Sequence, residues 1–329
     1  MTKELYIVTG GTGFVGNNLV REIERQGKDV VVLARNLDKC NCSLKDCSAK
    51  ITCGTIMSIE CLEELFDGVG KDTKAIFIHT ASYVYIGSNR KKIKHMFETN
   101  IDGTRNVINA CLRHKARLVY ISSVHAIPET PGGGVITEVG RFDAKWVVGH
   151  YAKSKAMASQ MVLDAVRDEN LDAVLVHPSG ITGPNDFSDT HLTQMVDDYK
   201  NNRIPASVVG GYDFVDVRDV VSGTLAAAES GKTGECYLLT NRFYTVRQVL
   251  DTLHELGIGK KVKRNMPMWI ARVGLPFLTL YFKILKKRPL YTRYSLYTLG
   301  SNSNFSHEKA STELGYNPRE LKESLKDMI

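Results

Sequence analysis

The chain has 329 residues, of which 43% are hydrophobic and 24% charged, a balance typical of a globular protein with a substantial core. The net charge of +7 is modest, and the absence of zinc-finger spacing, a basic zipper or an aromatic RNP-type strand argues against nucleic-acid binding. This length exceeds that of most single domains and predicts one large domain with a smaller lobe.

The cysteines and the first residues indicate a cytoplasmic protein. Seven cysteines are an odd number, without the spacing of a small secreted framework. The chain enters an apolar segment at Leu5, which leaves no room for a signal peptide. Five cysteines fall between Cys40 and Cys61, a segment without histidine, which favours a variable loop of reduced thiols over a metal site. We therefore expect a cytoplasmic location and no metal.

Short apolar runs alternate with helical patterns through the first half of the chain. The predicted strands are Leu5–Val8, Val30–Leu33, Ala75–His79, Leu118–Ile121 and Ala173–Val176. The predicted helices are Phe14–Arg25, Ile59–Phe66, Lys91–His114 and Gly149–Arg167. The strands are continuous apolar runs, as expected when both faces of a sheet are covered. The alternation predicts an α/β fold of the Rossmann type, with a doubly wound parallel sheet.

The pattern loosens after His177, and two segments, Val215–Ala228 and Tyr237–Thr240, indicate a late return to the sheet. We expect a dinucleotide-binding Rossmann domain at residues 1–178 and 212–242. A smaller, mostly C-terminal substrate-binding lobe is expected at residues 179–211 and 243–329. The apolar segment Met266–Leu285 is interrupted by charged residues and a proline, which argues against a transmembrane helix and leaves peripheral membrane contact open.

A glycine-rich loop, Thr9-Gly10-Gly11-Thr12-Gly13-Phe14-Val15-Gly16, joins the first strand to the first helix. One glycine allows the tight turn, another lets the backbone approach a pyrophosphate, and Gly16 permits close packing of helix and sheet. The helix N-terminus then faces the phosphates with its N–H groups and the positive end of its dipole. This strand–turn–helix context predicts dinucleotide binding.

The end of the second strand indicates which dinucleotide is bound. An acidic residue there would hydrogen-bond the adenosine ribose and repel a 2'-phosphate. The sequence instead reads Leu33-Ala34-Arg35-Asn36, and Arg35 is suited to clamp a 2'-phosphate by charge-assisted hydrogen bonds. NADP(H) is therefore favoured, and NAD(H) is left open.

Three polar side chains form a candidate catalytic group. Tyr151 and Lys155 lie four residues apart on one face of a predicted helix. A nearby ammonium stabilises a phenolate and would lower the pKa of Tyr151, which would permit proton exchange with a substrate alcohol. Ser123 follows the strand Leu118–Ile121, at the sheet edge where doubly wound folds bind ligands, and its hydroxyl can hydrogen-bond a substrate oxygen.

With these features the sequence resembles the extended short-chain dehydrogenase/reductases of the NAD-dependent epimerase/dehydratase superfamily, most of all the dihydroflavonol-reductase and 3β-hydroxysteroid-dehydrogenase branch. The resemblance covers nearly the whole chain. It rests on TGGTGFVG at 9–16, HTAS at 79–82, TNIDGTRNV at 99–107, YISS at 120–123, YAKSK at 151–155, HPSGITGP at 177–184, FVDVRDV at 214–220 and NSNFSHEKASTELGYNPR at 302–319.

The resemblance implies a role for each matching position. Ser123 is implied as the catalytic serine, Tyr151 as the acid/base and Lys155 as its partner, which also holds the nicotinamide ribose. Asn100 is implied to support the proton relay. The implied cofactor-binding residues are Gly10, Thr12, Gly13, Phe14, Val15, Gly16, Thr80, Ala81, Ser82, Tyr151, Lys155, Pro178, Ser179 and Gly180. Gly54-Thr55-Ile56 replaces the family's Gly-Asp near the adenine, so Thr55 and Ile56 are assigned to the cofactor without that acidic contact.

The C-terminal lobe carries many large apolar side chains, as a pocket for a bulky hydrophobic ligand requires. They are Trp269, Phe277, Leu278, Leu280, Tyr281, Phe282, Tyr291, Tyr294 and Tyr297. Trp269 and His125, which follows the serine, are the candidate substrate contacts. The favoured function is an NADP(H)-dependent oxidoreductase that interconverts a ketone or aldehyde and an alcohol on a steroid- or flavonoid-like small molecule.

Two other functions stay open at this point. A nucleotide-sugar epimerase would use retained NAD on the same scaffold. A 4,6-dehydratase is disfavoured, because Val124-His125 stands where that group carries Asp-Glu. A non-catalytic NADP-binding regulator is disfavoured because Tyr151 and Lys155 are both present. A homodimer is also left open.

Overall fold

The structure, a computed structural model, describes residues 3–70, 72–188, 190–284 and 291–328, with only the backbone of 277–284. The strands are β1 (Lys3–Thr9), β2 (Asp29–Ala34), β3 (Lys50–Cys53), β4 (Thr73–His79), β5 (Arg117–Ile121), β6 (Ala173–Pro178), β7 (Gly180–Thr182), β8 (Ser207–Val208), β9 (Gly211–Asp216), β10 (Cys236–Leu239), β11 (Arg242–Thr245) and β12 (Asn265–Met266). The helices are α1 (Phe14–Arg25), α2 (Leu37–Ser43), α3 (Ile59–Glu64), α4 (Arg90–Phe97), α5 (Gly103–His114), α6 (His150–Glu169), α7 (His191–Lys200), α8 (Val217–Ser230), α9 (Val246–Glu255), α10 (Met268–Ile284), α11 (Arg293–Gly300), α12 (Glu308–Leu314) and α13 (Leu321–Lys326).

A seven-stranded sheet in the order β10-β6-β5-β4-β1-β2-β3 forms the centre of the fold. Every neighbouring pair in it is parallel. The chain builds β1 to β3 outwards in one direction, then returns to β4 beside β1 and continues in the other. This reversal between β1 and β4 creates the crevice at which doubly wound sheets bind ligands. The expected Rossmann-type sheet is confirmed.

Apolar side chains cover both faces of the sheet. Phe77 of β4 belongs to one buried cluster, whereas Ile76 and Ile78 belong to the cluster on the other face. This alternation follows from the two-residue period of a strand, and it explains why the strands read as uninterrupted apolar runs. The two layers bury β5 and β6 along their whole length, and the carboxyl ends of these strands lie at the same edge of the sheet.

The lobe beside the sheet has two smaller apolar clusters. Helices α7, α9 and α13 pack together around Leu250 and Leu325, which are both fully buried. Helices α10 and α11 meet at Leu275 and Leu296. Two small sheets, β11-β9-β7 and β12-β8, connect this lobe to the ends of the main strands. The predicted domain boundaries stay a prediction.

Three predicted segments differ from the structure. The cysteine-rich segment predicted as a loop forms α2 and strand β3, and its cysteines are free thiols. The predicted helix Lys91–His114 is interrupted by a π-helical stretch, Glu98–Asp102, between α4 and α5. The segment Val215–Ala228 ends β9 of a small sheet and then forms most of α8, whereas Tyr237–Thr240 does return to the main sheet as β10.

None of the described helices combines the length and the apolar character needed to cross a bilayer. Helix α10 contains the proline predicted to interrupt Met266–Leu285, and Leu285 lies outside the described residues. The side chains of Phe277, Leu278, Leu280, Tyr281 and Phe282, expected at a substrate pocket, also lie outside what the structure describes.

Candidate active site

A cavity of about 1130 Å³ opens at the carboxyl edge of the main sheet, above the crevice between β1 and β4. We call it the main cavity. It brings together side chains separated by more than a hundred residues, from the glycine-rich loop to the small sheet β11-β9-β7. The predicted residues that line it are Gly10, Thr12, Gly13, Phe14, Val15, Gly16, Arg35, Thr55, Ile56, Thr80, Ala81, Ser82, Ser123, Tyr151, Lys155, Pro178, Ser179 and Gly180.

The glycine-rich loop leaves the start of helix α1 uncapped toward this cavity. Gly13 occupies the N-cap position and has no side chain to satisfy the helix N–H groups, and the first turn contains no acidic residue. A β-carbon at Gly16 would lie 2.2 Å from the carbonyl oxygen of Gly10, so the loop and the helix pack too closely for any side chain there. Free N–H groups at a helix start attract anions, above all phosphates.

Two cations lie at the cavity wall beyond the end of β2. Arg35 follows the last residue of β2 and is exposed, and Lys39 lines the same wall from α2. Asn36 caps that helix by accepting a hydrogen bond from the Lys39 backbone N–H at 3.1 Å. The sequence analysis missed Lys39 because α2 was predicted as a loop, where a position four residues after Arg35 has no fixed direction.

A buried acid that the sequence analysis also missed lies behind the wall at the far end of the cavity. Ser179 lines the cavity, and its hydroxyl donates a hydrogen bond to the carboxylate of Asp213, which is fully buried on β9. The backbone N–H of Asn241 donates to the same carboxylate oxygen at 3.0 Å. Burial raises the pKa of Asp213 to about 6, and the two hydrogen bonds act against that rise. Asp213 therefore fixes the direction of the Ser179 hydroxyl.

Ser123 and Tyr151 meet at the end of β5. Ser123 precedes a short 3₁₀ turn, Val124–Ala126, and its hydroxyl oxygen accepts a hydrogen bond from the His125 N–H at 3.3 Å. Tyr151 and Ser123 line the same cavity. Burial raises the pKa of Tyr151 to about 12, and the nearby Ser123 hydroxyl opposes the rise. The phenol is therefore protonated at neutral pH.

Lys155 is buried beside this pair, but its amine is directed elsewhere. The Nζ atom donates to the carbonyl of Ile121 at 2.7 Å and to the hydroxyl of Tyr120 at 3.4 Å. Burial lowers the pKa of Lys155 to about 7. The expectation that Lys155 lowers the pKa of Tyr151 is therefore wrong for this arrangement, because desolvation dominates at both groups and the amine is bonded to Ile121 and Tyr120.

Asn100 lies in the π-helical stretch and ties the loop after β4 to helix α6. Its side-chain oxygen accepts from the Tyr83 N–H at 2.8 Å and from the Ser82 hydroxyl at 3.2 Å. Its amide donates to the Tyr83 carbonyl at 3.1 Å and to Ser154 at 3.0 Å. Ser154 in turn donates to the Tyr151 carbonyl at 2.8 Å. The extra residue of a π-turn, a feature common at functional sites, brings Asn100 to this position.

A second cavity of about 300 Å³, here called the side cavity, adjoins the main one, and Tyr212 lines both. His125 lies at their boundary, with Nε2 hydrogen-bonded to Tyr212 at 3.0 Å and Nδ1 to Tyr294 at 3.3 Å. Burial lowers the pKa of His125 to about 4, so the ring is neutral. The apolar and aromatic residues of the side cavity include Ile127, Ile136, Trp146, Val147, Tyr294, Tyr297 and Phe305.

The structure does not bring Trp269 to either cavity, because its side chain on α10 is 67% exposed and lines neither of them. We therefore no longer assign it to the substrate. His125 does line the side cavity, although both its ring nitrogens already have tyrosine partners. Among the residues that the structure describes, no group of three His, Cys, Asp or Glu side chains could hold a metal ion.

The chain is similar in sequence and in fold to several known proteins. The chain is 28% identical over 335 residues to sterol demethylase protein B of Methylococcus capsulatus, covering 98% of this chain and 96% of that protein. It is also 28% identical over 315 residues to a 4-hydroxy-2-methyl-3-oxo-4-farnesyl-3,4-dihydroquinoline-1-oxide ketoreductase of Stigmatella aurantiaca, covering 94% and 90%. The crystal structure of gox2253 superposes with a TM-score of 0.82 at 29% identity, covering 98% of this chain and 96% of that one.

A family model spans most of the chain. The model described as the NAD dependent epimerase/dehydratase family matches residues 6–240, from the first strand of the main sheet to the last. The match includes the glycine-rich loop, Ser123, Tyr151 and Lys155. Members of this family are in general NAD(P)-dependent oxidoreductases. The chain therefore belongs to the NAD dependent epimerase/dehydratase family.

Proposed function

We propose that the protein is an NADP(H)-dependent oxidoreductase that interconverts a ketone or aldehyde and an alcohol on a bulky hydrophobic substrate. The observation that carries the proposal is that Ser123, Tyr151 and Lys155 line one cavity at the carboxyl edge of the main sheet. These three residues share that cavity with an uncapped helix start and the cation Arg35. A donor pair next to a dinucleotide site is what hydride transfer to a carbonyl requires.

The described residues fit a dinucleotide phosphate along the length of the main cavity. The start of α1 would hold the pyrophosphate, because Gly13 leaves its N–H groups free. Arg35 and Lys39 would hold the 2'-phosphate, which supports NADP(H) over NAD(H). Ser179 and Gly180 would lie beside the nicotinamide. The bound nicotinamide supplies or accepts the hydride.

The residues of the chain itself perform the proton chemistry. In the reducing direction, Ser123 donates a hydrogen bond to the substrate oxygen and Tyr151 transfers its proton to the same atom. The pKa of Tyr151, about 12, keeps this proton in place at neutral pH. Partial burial of Tyr151 strengthens both interactions, since its surroundings screen them less than bulk water does. The protonated phenol can therefore donate a proton in carbonyl reduction, and by microscopic reversibility its phenolate would be the base in alcohol oxidation.

The side cavity supports a hydrophobic substrate. Its walls of Ile127, Val147 and Phe305 offer apolar surface, and it adjoins the Ser123–Tyr151 pair through His125. Apolar pockets with a few fixed polar groups are typical of small-molecule sites. The names of the two relatives, one concerned with sterols and one with a farnesylated quinoline ketone, are consistent with this substrate class.

The test is a screen of NADPH and NADH oxidation against steroid, flavonoid and small-aldehyde panels, with Tyr151→Phe as the matched control. We expect turnover with NADPH and a hydrophobic ketone, and its loss in the variant. Substantial turnover by Tyr151→Phe would refute the mechanism. Co-purified NAD together with activity on a UDP-sugar would replace the proposal by an epimerase.

A further inference from the structure

The positive charge of the protein is concentrated in one segment of the C-terminal lobe. Between Glu255 and Glu308 the sequence contains ten lysines and arginines and no aspartate or glutamate. Since the whole chain has a net charge of +7, all the other residues together carry a net charge of −3. The basic character of the chain therefore comes from this segment alone, and the rest of the protein is slightly acidic.

Four of these cations form the run Lys260-Lys261-Val262-Lys263-Arg264, here called the basic run, which precedes helix α10. All four are exposed, whereas Val262 is buried in the apolar cluster of α7, α9 and α13 and fixes the run to the lobe. In the described part of the chain none of the four has an acidic partner, in contrast to Arg218 and Arg319, which each pair with an aspartate. Unpaired like charges repel one another and attract an anionic partner.

Helix α10, which follows the basic run, has an apolar outer face. Ala271 and Leu275 lie one turn apart on its inner side and pack against Leu296 of α11. Trp269 and Val273 lie one turn apart on the opposite side, where they are 67% and 65% exposed. The helix therefore buries only one of its two apolar sides within the described structure. Large apolar side chains exposed next to one another mark an interaction surface.

Three further residues extend this outer face. Ile270 and Arg272 are both exposed and flank the row of Trp269 and Val273 on its two sides. Val209 is also exposed, and its backbone N–H donates to the Met266 carbonyl at 2.9 Å, two residues before the helix begins. We call the surface formed by Val209, Trp269, Ile270, Arg272, Val273 and the basic run the α10 face.

We propose that the α10 face binds the surface of an anionic lipid bilayer. The basic run would contact the charged headgroups, while Trp269 and Val273 enter the boundary between headgroups and acyl chains. Tryptophan is suited to this boundary because its ring is apolar and its N–H is polar. A nucleic acid or an acidic protein segment would neutralise the cations but would not take up the apolar row, so the combination of the two favours a bilayer.

The position of the α10 face gives such binding a consequence for the enzyme. Helix α11, which packs on the inner side of α10, supplies Tyr294 and Tyr297 to the side cavity. A bilayer bound at the α10 face would therefore lie one helix layer away from that cavity. The inference goes beyond the proposed function and does not depend on it, because it rests on charge and exposure outside both cavities.

The test is flotation of the full chain with two kinds of vesicle, pure phosphatidylcholine and an equimolar mixture of phosphatidylcholine and phosphatidylserine. We expect binding to the mixed vesicles that weakens as salt is added, and little binding to pure phosphatidylcholine. Trp146→Phe leaves Trp269 as the single tryptophan. Its fluorescence emission should move to shorter wavelength on binding, because the indole ring leaves water.

Two kinds of variant separate the charged and the apolar contributions. Lys261→Gln/Lys263→Gln should bind the mixed vesicles about thirtyfold more weakly, since each lysine near an anionic surface contributes about 1 kcal/mol. Trp269→Ala should weaken binding about tenfold. The matched control, Lys50→Gln/Lys74→Gln, removes two exposed lysines at the amino-terminal ends of β3 and β4, the sheet edge opposite the main cavity, and should bind as the unmodified protein does.

The inference is overturned if the mixed vesicles do not bind, or if the two double variants lose affinity equally. An unchanged Trp269 emission in the bound protein also overturns it, as does binding of polyuridylate with equal affinity, because charge alone would then explain the contact. Lys261, Lys263 and Trp269 line neither cavity, so their variants should turn over a dissolved substrate normally. Normal turnover without vesicle binding would leave the proposed function intact.

Discussion

Gly149, the residue before helix α6, offers a sharp test of how the C-terminal lobe contacts the catalytic helix. Its φ of +98° and ψ of 148° lie in a region that side chains rarely adopt. A β-carbon there would also lie 2.3 Å from Cε2 of Tyr294 on α11. Tyr294 is the residue whose hydroxyl is bonded to His125 at the edge of the side cavity. Gly149→Ala therefore strains the backbone two residues before Tyr151 and displaces a ring that lines the side cavity.

The two costs can be separated. Backbone strain of this kind costs about 1–3 kcal/mol, and overpacking against a ring adds about 1–3 kcal/mol. Gly149→Ala should therefore lower the free energy of unfolding by about 2–6 kcal/mol in urea titrations. In a Tyr294→Ala background the collision is gone, so the same substitution should cost only the strain. Gly132→Ala is the control, since Gly132 has φ +71° with open space around it and should show strain alone.

The functional consequence should be confined to the substrate side. The KM for the carbonyl compound should rise in Gly149→Ala, whereas NADPH affinity should stay unchanged, because Gly149 and Tyr294 line no part of the main cavity. Additive losses of stability in the double variant would refute the reasoning. So would a cost for Gly149→Ala no larger than that of Gly132→Ala.

Three further predictions concern single side chains. Tyr151→Phe should bind NADPH normally and lose about a hundredfold or more of its turnover in steady-state assays, because the proton donor is gone. Arg35→Ala should weaken NADPH about tenfold to a hundredfold and leave NADH affinity unchanged in fluorescence titrations, and equal losses for both would remove the 2'-phosphate assignment. His177 is buried with no hydrogen-bond partner in the described structure, and burial and the Lys155 charge lower its pKa to about 3. As the pH falls from about 6.5 to about 3, the unfolded chain binds a proton that the folded chain does not, so stability falls by about 1.4 kcal/mol per pH unit. His177→Leu should reduce that slope in urea unfolding series, and an unchanged slope would contradict the pKa assigned to His177.

The sheet and most of the main cavity could be predicted from the sequence because their signals are local. An uninterrupted apolar run such as Ala75–His79 identifies a strand covered on both faces, and the rule that parallel sheets bind ligands at their carboxyl ends then places Ser123 beside the glycine-rich loop. The spacing of Tyr151 and Lys155 identifies one helix face. None of these steps requires knowledge of a contact between distant segments.

Residues that act through distant contacts left no such signal. Tyr294 reaches His125 across 169 positions of sequence, and no periodicity in α11 points to that partner. Asp213 reads as one residue of an apolar strand, and only the packing of β9 beneath Ser179 gives it a role. The π-turn at Asn100 is hidden inside an amphipathic pattern, since one extra residue in a turn hardly changes helical periodicity.

The misjudged pKa of Tyr151 shows which physical term the sequence leaves out. A spacing of four residues places Lys155 on the same helix face and so implies attraction between an ammonium and a phenolate. The sequence does not state the desolvation of either group, and in the folded chain desolvation favours the neutral form of both. The site therefore holds a protonated phenol with a pKa of about 12 next to an amine with a pKa of about 7. A phenol that keeps its proton is present as a donor at neutral pH, and the same burial that overrides the attraction makes the phenolate, the base that alcohol oxidation would need, more costly to form.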